Sequence, residues 1–275
     1  MEVPSLDDQE PVFLWAPSAR NGITLMQRLI TSSREILIMG ENRLLTLNIP
    51  HGIAAALSTD DKVDESRQRL ASGDFAFWSS AAGPVSAVYK NWLESATAAL
   101  FNVYQYSAMV EGYKRWGIKE PLLDARVVNT MNFFMPKAKH VFIYRNLPDV
   151  LRSHKARGWI KSASDCESYA ANWAKSVPDI LPLEEQGVGT VVRYEELMKD
   201  PDPICDRLEK ALGCAPFDRS VLQKKVNTFQ GSEDKGHSPS QYIEPADLTP
   251  EEWAAAKAVG SEAMELCGYE WDDAS

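Results

Sequence analysis

Histidine and cysteine are scarce in this sequence, four of each in 275 residues, and what they exclude is chemistry. Cys166, Cys205, Cys214 and Cys267 lie far apart with no CxxC spacing. They read as reduced thiols of a cytoplasmic protein, not as a disulfide framework or a zinc site. His51, His140, His154 and His237 are scattered, and no His/Cys/Asp cluster has metal-ligand spacing, so no metal is expected. No run approaches the roughly 18 apolar residues of a membrane span. The first residues, Met1–Asp8, are acidic and lack the apolar core of a secretory leader. Basic charge is also short, 29 Lys+Arg against 39 Asp+Glu for a net −10. That balance argues against a nucleic-acid partner.

What is present is ordinary globular composition, 44% apolar and 25% charged, enough to bury a sizeable core in one domain over 1–275. An acidic tail over about 1–10, a mobile loop over about 230–245 and a C-terminal helix over about 249–267 complete it. The charge is uneven. Glu244–Ser275 holds nine acidic residues and one basic, whereas Lys137–Lys161 holds seven basic residues and one acidic. The basic stretch reads as either a focused anion site or a solvated helix face.

Short apolar runs alternate with helical spacing along the chain. Pro11–Trp15, Ile36–Met39, Trp116–Lys119, His140–Tyr144 and Gly189–Tyr194 read as strands. Helices are expected from Ile23, from Leu122 to Phe134, after the capping residue Asn146, and from Glu195 to Leu212. Residues 53–115 read as mostly helical, with the polar stretch Ser58–Arg69 looping or capping. The fold class expected is α/β, a P-loop-like three-layer domain with a central parallel sheet flanked by helices.

Two junctions carry chemistry. Ser18-Ala19-Arg20-Asn21-Gly22-Ile23-Thr24 lies between a strand and a helix, where backbone N–H groups and the helix dipole favour a phosphate. It is not GxxxxGK[ST], because no lysine follows Gly22; Arg20 is the nearby cation. An ordinary turn with a surface arginine is the plainer reading. At the second junction, Arg145 ends a strand and Ser153 lies two turns into the next helix, so both can face one anion.

Arg20-Asn21-Gly22-Ile23-Thr24-Leu25 resembles the Arg-Ser-Gly-Thr-Thr-Leu loop that holds the 5′-phosphosulfate in sulfotransferases dependent on 3′-phosphoadenylyl sulfate (PAPS). Val141–Val150 with Ser153 resembles that family's strand–Arg–helix segment, whose Arg and Ser clasp the 3′-phosphate. Val192–Leu197 followed by Asp200-Pro201 is similar to its "RYEDL…DP" junction, which implies Tyr194 beside adenine. Leu266–Glu270 resembles a common ending of bacterial members. Gly40-Glu41-Asn42-Arg43 resembles the "GEETR" segment of tyrosylprotein sulfotransferases, which implies Glu41 as catalytic base. Lys119-Glu120-Pro121 resembles their "KDP", which implies Lys119 stabilising the transferring group. Lys235-Gly236 falls near the family's basic loop over the 3′-phosphate.

This chain departs at Asn21, which keeps a hydrogen-bonding side chain, and at Ile23, which does not. The resemblance implies sulfuryl transfer from PAPS to an acceptor hydroxyl or amine, releasing 3′-phosphoadenosine 5′-phosphate (PAP), with no metal. The net negative charge favours a neutral small-molecule acceptor over a polyanion. His51 is the alternative base. The plainer readings are a surface carboxylate paired with Arg43 for Glu41 and a snorkelling lysine for Lys119. A P-loop kinase or ATPase, and an inactive PAP-binding module of the same fold, stay open.

Overall fold

Four-residue runs of β-branched and large apolar side chains form strands only when both faces are covered. The computed structural model of the chain describes residues 5–41, 61–74, 76, 86–122, 125–224 and 243–271. In it, β1 (Val12–Trp15), β2 (Ile36–Met39), β3 (Arg115–Glu120), β4 (Lys139–Tyr144) and β5 (Thr190–Arg193) form one sheet in the order β2-β3-β1-β4-β5. Every pairing is parallel, so all five carboxyl ends share one edge. The chain leaves β1 towards β2, returns through β3, and crosses β1 to β4. At such a reversal an open α/β sheet leaves a crevice beyond its strand ends.

The period-2 alternation sorts the strand side chains into two cores. Phe13, Trp15, Trp116, Ile118, Phe142 and Tyr144 pack under α3 (Ser86–Val110), α4 (Ala125–Phe134), α5 (Leu147–Lys155), α6 (Ala163–Ile180) and α9 (Pro250–Leu266). Val12, Leu14, Ile36, Ile38, Val141, Ile143 and Val192 pack under α1 (Ile23–Thr31), α7 (Tyr194–Lys199) and α8 (Pro201–Leu212). These are the three layers expected.

Several boundaries differ from the sequence expectation. The polar stretch expected to loop instead carries α2 (Asp61–Ala71), whose Glu, Gln, Lys and Arg are good helix formers that need no core. Tyr194 opens α7 rather than closing β5. The single helix expected over 195–212 is two, because Pro201 forces Asp200 out of the helical region, to φ −142° and ψ 86°. α6, capped by Ser162 accepting from the Asp165 N–H, has no counterpart in the sequence reading. Residues 5–10 are not a loose tail. Leu6 is buried, and Trp116 Nε1 donates to the buried Gln9 at 2.9 Å. At the other end, Ile243–Thr249 is held too: the Ala246 N–H donates to the Arg152 carbonyl, and Thr249 makes a capping box with Glu252.

Two buried histidines make the fold acid-sensitive. Trp15 Nε1 donates to His140 Nδ1 at 2.9 Å, and because an indole only donates, the proton sits on Nε2, 2.9 Å from Asn132 Oδ1. His154 Nδ1 donates to the Val150 carbonyl at 2.8 Å. Burial pulls each ring down to about 4, with the Val150 bond working against this at His154. The unfolded chain takes up these protons near pH 6.5, the folded one only near 4. Stability is therefore full above 6.5 and falls as pH drops through that window, by up to about 3 kcal/mol per ring. Urea midpoints measured between pH 7.5 and 4 are expected to fall accordingly; a flat profile would contradict the burial of both rings.

Candidate functional site

The loop after β1 makes two left-handed turns, at Arg20 (φ 71°) and Gly22 (φ 91°). For arginine this conformation costs about 1 kcal/mol or more. It aims the guanidinium across the crevice, where Arg20 Nε donates to Ser153 Oγ on α5 at 2.9 Å. Only glycine fits at 22, since a Cβ there would lie 2.5 Å from Tyr194 Cδ2 and 3.3 Å from Ile143 Cδ1. Gly22 is also the N-cap of α1. No side chain caps that helix and its first turn holds no carboxylate, so its leading N–H groups are suited to an anion. Ile23 buries its side chain in the core beneath.

Asn21 differs from expectation. Its side chain is not turned to the crevice but wholly buried, with its amide bonded to Ser18, Ala19, Trp173 and the Arg145 N–H. A side chain committed in this way has nothing left for a phosphate.

At the end of β4, Arg145 Nη2 donates to Asp149 Oδ2 at 2.8 Å, and its guanidinium lies 4.6 Å from the centre of the Tyr194 ring. Burial opposes the Asp149 carboxylate, but Arg145, Asn146 and Arg152 outweigh it and hold the carboxyl below the ordinary range. Asn146 caps α5, as expected, by accepting from the Asp149 N–H. The N-terminus of α5 is thus already supplied with an acceptor and a carboxylate. Glu195 braces the cap, accepting from the Asn146 side chain at 2.7 Å while Tyr269 Oη donates to its other oxygen at 2.6 Å. Sequence reasoning missed this brace; both residues were visible only as parts of longer motifs.

Asp149 and Ser153 are four apart on α5 and therefore share a face. The Arg145 and Arg20 guanidinium groups reach that face one turn from each other. A third group lies beside the loop, on the β2–β3 side. Lys119 Nζ donates to Thr24 Oγ1 at 2.9 Å and lies 3.4 Å from Glu41 Oε1. Lys119 is largely buried, with 12% of its side chain exposed, whereas Glu41 is 46% exposed.

The structure thus joins Glu41, Lys119 and Thr24, joins Arg20 to Ser153, and joins Gly22, Tyr194 and Arg145. His51, Lys235 and Gly236, and the Arg43 expected to pair Glu41 in the plainer reading, lie outside the described residues. Much of the basic charge over 137–161 is spent in ion pairs: Lys137 with Asp8, Lys155 with Glu252, and Arg152 with Asp149 and Asp247. Arg145 is paired as well, with Asp149 at 2.8 Å, and lies over the Tyr194 ring at the end of β4. Among the described residues, no group of three His, Cys, Asp or Glu is placed to hold a metal.

The profile of the sulfotransferase family (Sulfotransfer_3) matches residues 16–219, well over half of the chain, from the end of β1 past α8. The chain belongs to the sulfotransferase family. Solved structures agree with its fold. The sulfotransferase domain from the Synechococcus PCC 7002 olefin synthase is 17% identical, with a TM-score of 0.54 over 98% of this chain and 100% of that one. The sulfotransferase domain from the curacin biosynthetic pathway is 16% identical, with a TM-score of 0.53 over 95% and 98%. No curated protein sequence matches significantly. For this family member the resemblance to bacterial sulfotransferases and the parallel three-layer fold stand as expected, and the kinase or ATPase alternative is not favoured. Among its described residues no helix is long and apolar enough to cross a membrane.

Proposed function

We propose that this sulfotransferase moves a sulfuryl group from PAPS to the hydroxyl or amine of a small-molecule acceptor in the cytoplasm, releasing PAP. The observation that carries the reading is the meeting of two arginines, from separate strand ends, on one face of α5. ATP would use one such cation for its phosphate chain; an adenosine phosphorylated at both 3′ and 5′ positions uses two. Arg145 and Ser153 bind the 3′-phosphate, with Lys235 and Gly236 assigned there by resemblance, and Tyr194 lies beside adenine. Arg20, Thr24 and the backbone N–H groups of Asn21, Gly22 and Ile23 hold the 5′ end.

Glu41 takes the acceptor proton as the acceptor atom bonds to sulfur. The bond from sulfur to the 5′-phosphate oxygen breaks with its electron pair on PAP. Arg20, Lys119 and the first turn of α1 stabilise that departing charge. The work is positioning and electrostatics, as in phosphoryl transfer. A chain of net charge −10 repels polyanions, which favours a neutral acceptor.

Turnover of labelled PAPS against a panel of small hydroxyl and amine acceptors tests the reading directly. Arg145→Ala is expected to weaken PAP by about ten- to a hundredfold, the worth of a charge-assisted hydrogen bond, and to leave 5′-AMP nearly unchanged. Equal losses for both nucleotides would remove the 3′-phosphate from Arg145.

A further inference from the structure

Asn21 sits in the middle of the anion-binding loop, yet its side chain is 0% exposed. Its Nδ2 donates to the Ser18 carbonyl and to Ser18 Oγ, each at 2.9 Å, and to the Ala19 carbonyl at 3.3 Å. Its Oδ1 accepts from the Arg145 N–H at 2.9 Å and from Trp173 Nε1 at 3.3 Å. A primary amide has two N–H groups and two lone pairs, and here all are used. Trp173, also 0% exposed, gives the same indole N–H to the Arg145 carbonyl at 3.1 Å.

On the side facing β1, the ladder to β4 ends at Trp15 against Phe142. Arg145 lies beyond it, and side chains grip its backbone at both ends, Asn21 at the N–H and Trp173 at the carbonyl. The Asn21 amide therefore stands where a ladder bond would, tying the segment that carries Arg20 to the segment that carries Arg145.

We propose that Asn21 is a positioning residue whose amide sets the span between the two arginines, and so the preference for a nucleotide with phosphates at both ends. This deepens the donor reading above and rests on it. A nucleotide with one phosphate needs one pocket intact. A doubly phosphorylated one needs both pockets at a fixed separation, so loosening the tie costs it more. Buried as it is, the Asn21 side chain does this without touching the nucleotide.

The test compares wild type with Asn21→Ala and Trp173→Phe, using amide exchange by NMR on the nucleotide-free protein and calorimetry with PAP and 5′-AMP. In Asn21→Ala the Arg145 amide is expected to exchange about tenfold faster or more, and the PAP-over-AMP preference to narrow about tenfold. Trp173→Phe is expected to narrow that preference in the same direction, and carries the test alone if Asn21→Ala does not fold. Unchanged exchange at Arg145 in Asn21→Ala overturns the proposal. So does an equal loss of PAP and 5′-AMP, the signature of direct phosphate contact. If wild type shows no preference for PAP, the donor reading fails, and the Arg145 exchange rate alone decides whether the tie exists.

Discussion

Glu41→Gln is expected to lower kcat by about a hundred- to ten-thousandfold, the usual worth of a positioned general base, while PAP affinity stays within about twofold. The amide has the shape of the carboxylate and still offers an oxygen to Lys119, which lies 3.4 Å from Glu41 Oε1. What it loses is the ability to accept a proton. Glu41 follows β2 at the carboxyl edge of the sheet, and its partly exposed side chain leaves room for an acceptor. Glu41 is assigned no contact with the nucleotide, and glutamine keeps an oxygen for Lys119, so PAP binding is not expected to register the change. Steady-state turnover with labelled donor and PAP titration of the same preparation make the comparison. Full activity in this variant would return the role of base to His51 or another group.

Gly22→Ala is expected to cost about 2–5 kcal/mol of stability and to abolish measurable PAP binding. Two penalties add: a left-handed backbone that an alanine resists, and overpacking against the Tyr194 ring. The new Cβ would lie 2.5 Å from Cδ2 and 2.9 Å from Cε2 of that ring. Moving the ring disturbs Arg145, whose guanidinium lies over it, so damage at the loop spreads to the end of β4. The double variant Gly22→Ala/Tyr194→Ala should lose less stability than the two single changes predict, because the clash is shared. Wild-type urea stability in Gly22→Ala would show that ring and glycine are not in contact.

β1 and β2 were legible because each is a short apolar run closed within two residues by a proline or glycine, as in Ile36–Met39 before Gly40. The places of Arg20 and Arg145 in the fold were legible because each lies between an apolar run and a helix, at the carboxyl edge of the sheet. The work of Asn21 was not. An amide beside a phosphate loop and an amide locked into a core look alike in sequence, and the groups that decide between them, Arg145 and Trp173, lie more than a hundred residues away. The Glu195–Tyr269 brace was hidden for the same reason. The break between α7 and α8 is of another kind. Pro201 announces it locally, and the amphipathic spacing on either side masks it. The polar helix α2 shows the limit of reading helices by apolar periodicity, since it has little apolar face to read.

The account turns on a crevice with two anion pockets spaced for one adenosine. Calorimetry of the wild-type chain with PAP, 5′-AMP and ATP with magnesium measures this most directly. PAP is expected to bind at least about tenfold more tightly than 5′-AMP, the worth of charge-assisted bonds to one further phosphate, and ATP with magnesium more weakly than PAP. Equal affinity for PAP and 5′-AMP, or tighter binding of ATP with magnesium, would contradict the account.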